Sequence, residues 1–166
     1  MYVLSFFCFA EDFVFLRASS KLLILKRVKD IPYFKNIREV REFEFGVFYF
    51  FDGLVISEMK KGVVFKWEMA VKVIKAAQEV FGQNKPLAYI SNRVNSYTVV
   101  PTEWLKFYTN RHKLEYYSVV GSTEGSLASI VLERMFFRES LKQFKDLEDA
   151  IAWSLKCLEK HKESLA

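Results

Sequence analysis

The side chains best suited to binding chemistry lie in one polar stretch, YISNRVNSYTVVPTEW at 89–104. An apolar run at 87–90 ends there, and it is followed by Ser91, Asn92, Arg93, Asn95 and Ser96. Amides and hydroxyls donate and accept hydrogen bonds, while a guanidinium offers a planar fork to a carboxylate or a phosphate. We therefore predict that these five residues bind a ligand or a partner. The alternative is that the asparagines and Ser96 only satisfy the backbone of their own turn.

A second polar loop, GSTEGS at 121–126, follows the next predicted strand. Exposed N–H groups at the start of a helix attract an anion, so Ser122 and Thr123 are further candidates for the binding site. The loop has neither the lysine nor the glycine spacing of a P-loop, and ordinary helix capping by Ser122 or Thr123 is the alternative. Because ligands of open α/β sheets lie outside the carboxyl ends of the strands, we predict that both loops share one edge of a sheet.

No catalytic signature accompanies these loops in the sequence. The chain has two histidines, His112 and His161, and two cysteines, Cys8 and Cys157, without a CxxC motif, which is too few for a His/Cys metal cluster. It also lacks a glycine-rich cofactor loop and a recognisable nucleophile–base pair. The sequence therefore predicts a protein that is not an enzyme, that holds no metal and no cofactor, and that works in a reducing, cytoplasmic compartment.

The net charge of +5 is concentrated near the amino terminus. Residues 1–41 carry eight Lys or Arg and four acidic side chains, while the rest of the chain is nearly neutral. Nucleic-acid binding needs a clustered basic face, so we expect no nucleic-acid partner. The apolar start, MYVLSFFCFA, has no preceding basic residue, and Glu11 and Asp12 interrupt it. It is too short for a membrane span and lacks the layout of a signal peptide.

The hydrophobic pattern predicts the elements that must position the two loops. From 40 to 59, alternating residues predict three antiparallel strands, with Asp52-Gly53 as a two-residue hairpin turn. Beyond them the chain alternates, with helices predicted at 66–82, 101–110, 126–137 and 147–161 and strands at 86–91, 114–120 and 141–144. This order predicts an α/β fold: a mixed β-sheet that begins with an antiparallel meander and continues in βα units, with helices packed on the sheet.

We expect a single domain at 38–160, preceded by an N-terminal arm at 1–37 and followed by a short tail at 161–166. The arm is either an extra element that covers the core or sequence upstream of the true start. The aromatic run at 43–51 must place side chains on both faces of its strands, because successive side chains alternate. An uncovered aromatic face would favour a partner protein or a homodimer, and the arm is a candidate cover.

Five segments of the chain resemble the SpoIIAA-like branch of the STAS superfamily, in particular its small bacterial members. The segments run from about Arg41 to Leu155 and read REFEFGVFYFFDGLVISEM, GVVFKWEMAVKVIKAA, PLAYISNRVNSYTVVPTEW, YYSVVGSTEGSLASIVLERMFF and LEDAIAWSL. The resemblance implies an α/β domain without a cofactor. It also implies a regulatory protein that binds a partner and is switched by phosphorylation of a serine in the loop after a central strand.

The matching loop here is 91–96, so the resemblance makes Ser91 and Ser96 the candidate phospho-acceptors. The loop lacks the Asp-Ser pair and the glycine of the family's motif. Other relatives in the superfamily hold an apolar ligand between helices and sheet. We therefore expect a non-enzymatic regulatory or binding module that recognises a protein partner or small ligand at the strand-end loops. The alternative is a carrier or sensor of a small apolar ligand or lipid, held between the Phe-rich sheet and the helix at 66–81.

Overall fold

The computed structural model describes residues 25–83, 85–100, 103, 106, 114–121 and 141–165. These residues form a mixed α/β fold, in which a six-stranded sheet carries helices on both faces. The predicted fold class is confirmed at this level. The helices predicted at 101–110 and 126–137 lie outside the described residues, apart from Glu103 and Lys106.

The first three strands form the predicted antiparallel meander. They are β1 (Glu39–Phe43), β2 (Gly46–Phe50) and β3 (Leu54–Met59). The hairpin turn between β2 and β3 lies at Asp52-Gly53, where the sequence predicts it. Gly53 adopts a positive φ of 73°, which few other residues tolerate, and this makes the tight turn possible. The turn is closed by the N–H of Phe51, which donates to the carbonyl oxygen of Leu54 at 2.8 Å.

Three parallel strands extend the sheet beyond β3. They are β5 (Leu87–Asn92), β7 (Leu114–Val120) and β8 (Leu141–Phe144), as predicted within a residue at each end. The strand order in the sheet is β1-β2-β3-β5-β7-β8. Two further strands of two residues each, β4 (Val64–Phe65) and β6 (Thr98–Val99), pair with each other in parallel and were not predicted. This small pair joins the connection after β3 to the connection after β5.

Helices cover the two faces of the sheet and close a separate core on each. The first core lies under α1 (Trp67–Phe81), and its side chains include Phe48, Phe50, Val55, Ala70 and Ala76. The second lies under α2 (Leu147–Leu165) and under two short 3-10 helices, Val28–Asp30 and Pro32–Asn36. Val28 and Ile31 are buried there, so residues of the predicted arm contribute to the second core.

The two helices begin in different ways. Asp146 caps α2 as predicted, since its Oδ1 accepts the N–H of Glu148 at 2.8 Å. The residue before α1, Lys66, makes no side-chain cap. The cap is supplied instead by Glu103, a residue distant in the sequence, whose Oε2 accepts the N–H of Trp67 at 2.6 Å.

Candidate functional site

The carboxyl ends of the parallel strands meet at one edge of the sheet. The N–H of Arg93, the first residue after β5, donates to the carbonyl oxygen of Val120 on β7 at 2.9 Å. The N–H of Gly121, the first residue after β7, donates to Phe144 on β8 at 3.2 Å. The segments that follow β5 and β7 therefore start side by side, and a Cβ added at Gly121 would lie only 3.2 Å from the Cβ of Arg93.

The predicted site residues that the structure describes lie on two different faces at this edge. Ser91 and Asn92 belong to the end of β5 rather than to the loop. Successive side chains of a strand point to opposite faces, so Ser91 and Arg93 face α1 while Asn92 faces α2. The other two candidates, Ser122 and Thr123, lie outside the described residues.

The hydroxyl of Ser91 is enclosed on the first face. Ser91 is 1 % exposed, and its Oγ lies 2.7 Å from the hydroxyl oxygen of Tyr97. The guanidinium carbon of Arg93 lies 5.2 Å from the centre of the Tyr97 ring, within the range of a cation–π contact. A second hydroxyl pair lies on the same face, where Tyr89 donates to Ser57 Oγ at 2.6 Å.

The loop after β5 is tied to the connection after β3. The side-chain amide of Asn95 donates to the carbonyl oxygen of Met59 at 2.8 Å, and the N–H of Gly62 donates to the carbonyl oxygen of Ser96, also at 2.8 Å. Asn95 thus satisfies the backbone of another element and not of its own turn. Ser96 is exposed, so its hydroxyl is accessible, in contrast to that of Ser91.

The second face carries a polar residue that the sequence analysis did not single out. Glu58 lies in β3, a strand whose six residues are all buried, and is itself 5 % exposed. Its Oε1 accepts the N–H of Val28 at 2.7 Å and the side-chain amide of Asn92 at 2.9 Å. The signal was present in the sequence: a carboxylate within an otherwise apolar strand of a central sheet is rarely buried without partners.

Further groups complete this arrangement, which we call the Glu58 cluster: Glu58, Asn92, Tyr49, Arg27 and the N–H of Val28. The hydroxyl of Tyr49 donates to Glu58 Oε2 at 3.4 Å, and Arg27 Nη1 lies 3.7 Å from the same oxygen. Burial raises the pKa of Tyr49 well above its usual range, and the negative charge of Glu58 raises it further. The cluster therefore holds one buried carboxylate among donors from three parts of the chain.

One buried acceptor in the Glu58 cluster has no donor. The amide nitrogen of Asn92 donates twice, to Glu58 and to the carbonyl oxygen of Lys26 at 3.0 Å, but its Oδ1 has no hydrogen-bond partner among the described residues. Asn92 is 1 % exposed, and buried polar atoms are nearly always paired. The cluster thus keeps an unused capacity to accept a hydrogen bond.

The described residues contain no group of three His, Cys, Asp or Glu side chains placed to hold a metal ion. Within those same ranges, no helix is both long enough and apolar enough to cross a membrane. Comparisons of the chain with protein-family models, curated proteins and solved structures found no match. The functional interpretation therefore depends on the geometry of the sites themselves.

Proposed function

We propose that the chain is a non-enzymatic binding module of the STAS type, which recognises a protein partner at the carboxyl ends of its parallel strands. The recognition surface consists of Asn95 and Ser96 in the loop after β5. Arg93 is only 6 % exposed and lies against the ring of Tyr97, so it belongs to the base of this loop. The observation that carries this proposal is the 2.9 Å hydrogen bond from Arg93 N–H to the carbonyl oxygen of Val120, because it holds the starts of the two loops together. Edges of this kind are where open α/β sheets bind their ligands.

The loop after β5 has the properties of a fixed recognition element. Asn95 and the backbone of Ser96 are anchored to the connection after β3, so the loop does not depend on a partner for its conformation. A pre-formed loop loses little conformational entropy on binding, which favours affinity. The SpoIIAA-like assignment rests on the resembling segments and on the mixed sheet, in which a meander precedes parallel strands.

Regulation by phosphorylation is the second part of the proposal, and Ser96 is the favoured acceptor. A kinase needs an accessible hydroxyl, which Ser96 offers and Ser91 does not, since Ser91 is enclosed beside Tyr97. A phosphate adds roughly −1.5 to −2 charges and three acceptor oxygens at pH 7. At this edge such a charge would change which partners bind.

A photo-crosslinking amino acid at position 96 tests the recognition surface. The matched control carries the same group at Gln83, which is exposed and precedes the amino end of β5. We expect the probe at position 96 to yield a crosslinked protein in the native cell that the probe at position 83 does not yield. Identical products from both positions, or no product from position 96, would contradict a partner surface at this edge.

Two further variants test the regulatory part with the same crosslinking readout. For this test the probe is moved to Thr98, an exposed residue close to Ser96, so that the anchoring amide of Asn95 is kept. Ser96→Asp is expected to change the yield of the position-specific product, whereas Ser164→Asp, at another exposed serine, should leave the yield unchanged. Equal yields from both variants would remove phosphorylation from the proposal.

Native mass spectrometry of the purified chain distinguishes surface recognition from the alternative function, a carrier of an apolar ligand. A co-purified apolar ligand would favour an internal pocket over surface recognition.

A further inference from the structure

We propose that Glu58 and Asn92 form a binding site for a basic peptide segment, and that residues 26–28 of the same chain occupy this site in cis. The site lies on the face of the sheet covered by α2. It is independent of the recognition surface at Asn95 and Ser96, which belongs to the loop after β5. Failure of either proposal would leave the other untouched.

Residues 26–28, the cis segment, are held by hydrogen bonds to their main chain, as a receptor holds a bound peptide. The N–H of Val28 donates to Glu58 Oε1 at 2.7 Å, and the carbonyl oxygen of Lys26 accepts the side-chain amide of Asn92 at 3.0 Å. Arg27 between them has an extended backbone, with φ of −82° and ψ of 155°. Glu58 on β3 and Asn92 on β5 thus bind main-chain atoms of the cis segment. Since every peptide has such atoms, a different peptide could make the same two hydrogen bonds.

Charge and burial define which peptide fits. Lys26 Nζ lies 2.6 Å from a carboxylate oxygen of Glu148 at the start of α2, and Arg27 Nη1 lies 3.7 Å from Glu58 Oε2. The side chain of Val28 is fully buried in the second core. The site therefore selects two basic residues followed by an apolar one, because its acidic groups belong to the folded sheet and helix while the segment supplies the positive charges.

The cis segment leaves the site incompletely filled. Asn92 Oδ1 is buried and receives no hydrogen bond within the described part of the chain. A ligand with one more N–H or ammonium donor for this oxygen would be bound more strongly than the cis segment. The ligand class is therefore a Lys/Arg-rich segment of a partner protein, with an additional donor near its first basic residue.

Val28→Pro in the full chain tests whether the cis segment is displaceable. Proline removes the N–H that Glu58 accepts, yet it suits the first position of a 3-10 helix, and the extended backbone of Arg27 suits a residue before proline. We expect hydrogen–deuterium exchange to become faster in 25–37 while β3 and α2 keep their protection. The control is Glu68→Gln, at an exposed position of α1, which should change neither region.

The binding arm of the test uses a defined probe, the acetylated and amidated peptide LKRVKD, which copies residues 25–30. In the native chain the cis segment competes with it at high effective concentration, so binding should be weak. Freeing the site in Val28→Pro should lower the apparent Kd by about tenfold or more. A peptide with serine in place of the first two basic residues of LKRVKD, those that copy Lys26 and Arg27, should not bind. Val28→Pro combined with Glu58→Gln should lose the gain.

A second variant keeps the test decisive if Val28→Pro does not fold. Lys26→Ser combined with Arg27→Ser removes two half-exposed side chains and their ion pairs without touching the core, and should also speed exchange in 25–37 and strengthen peptide binding. Faster exchange throughout the sheet, in either variant, would show that residues 26–28 cannot leave the site without unfolding the sheet, which would overturn the proposal. Equal affinity for the basic and the serine peptide would likewise overturn the proposal.

Discussion

At the scale of single residues, the Glu58 cluster shows how a buried carboxylate is accommodated. Taking a carboxylate out of water is costly, and here the cost is offset by an amide, a backbone N–H and a tyrosine hydroxyl, with a guanidinium nearby. Asn92 contributes through its nitrogen only, and its oxygen stays without a donor among the described residues. The identity of the side chain at position 92 therefore controls whether the carboxylate of Glu58 can remain buried.

Asn92→Asp should destabilise the fold, because it replaces a donor to Glu58 by a second carboxylate at hydrogen-bond distance. Two such groups cannot both ionise, so one must hold a proton and its folded-state pKa rises above the unfolded value. Stability is then kept below pH ~4 and lost as the pH rises. We expect a loss of about 3–5 kcal/mol near pH 8 and less near pH 5, measured by urea unfolding.

The control for this prediction is Asn36→Asp, which makes the same chemical change at an exposed position. Its free energy of unfolding should stay within about 0.5 kcal/mol of the native value at both pH values. If Asn92→Asp behaved like Asn36→Asp, the hydrogen bond between Asn92 and Glu58 would have no bearing on stability.

Tyr49 gives the same cluster a dependence on alkaline pH. Burial and the adjacent Glu58 raise the pKa of Tyr49, so the folded state keeps the phenol proton at a pH where the unfolded chain releases it. The stability that depends on the neutral phenol is present below pH ~10 and is lost as the pH rises further. Tyr49→Phe should therefore lose less stability than the native chain between pH 8 and pH 10.5, as measured by urea midpoints. An identical loss in both proteins would contradict the pKa assignment.

At the scale of elements, the sequence predicts the strands and helices that a local hydrophobic pattern defines. It does not predict those that depend on contacts between residues far apart in the chain. The alternation between 40 and 59 and the 3.6-residue period after Lys66 are local, and β1, β2, β3 and α1 follow from them. The strands β4 and β6 have two residues each, too few for a periodicity, and they exist because they pair with each other. The start of α1 depends on Glu103, 36 residues away.

The candidate site shows the same division. The common edge for the ends of β5 and β7 follows from predicting parallel strands, and that much could be read from the sequence. The separation of Ser91 from Asn92 follows from the pleat, but their burial depends on Tyr97, Glu58 and the cis segment. A polar residue at a strand end looks like a loop residue until those partners are known.

The β1–β2 hairpin places Gly46 where no side chain fits. A Cβ there would lie 2.8 Å from the carbonyl oxygen of Glu58 and 3.0 Å from the Cα of Met59, both backbone atoms of β3. Gly46→Ala should therefore push β2 away from β3 and lower the free energy of unfolding by about 1–3 kcal/mol, measured in urea.

Gly62→Ala is the matched comparison, since nothing lies within 4 Å of the added Cβ and only the positive φ of 77° opposes it. That strain should cost about 1 kcal/mol. The close contact at Gly46 makes the larger effect the expected one there. A smaller loss for Gly46→Ala than for Gly62→Ala would mean that the strands separate at little cost.

At the scale of the whole molecule, the sheet needs cover on both faces, and the second cover comes from the two ends of the described chain. Residues 25–37 and α2 lie over the same core, where Val28 and Ile31 meet Leu147 and Ala150. The first face is closed differently, by a helix that follows β4 directly. Removing residues 25–37 should therefore uncover one core and leave the other intact.

Two shortened chains, one beginning at Leu25 and one at Arg38, isolate this contribution. Only the longer one keeps Val28 and Ile31, which are 0 % and 3 % exposed, and burial of such side chains stabilises by about 1.5–3 kcal/mol each. The chain from Arg38 should unfold at a lower urea concentration, and its free energy of unfolding should be lower by about 3 kcal/mol or more.

Adding the acetylated peptide of residues 25–37 should raise the urea midpoint of the chain from Arg38 in proportion to the logarithm of peptide concentration, because the peptide binds the folded state alone. A scrambled peptide of equal composition should leave the midpoint unchanged. Identical urea midpoints for the two shortened chains would mean that the second core stands without this cover.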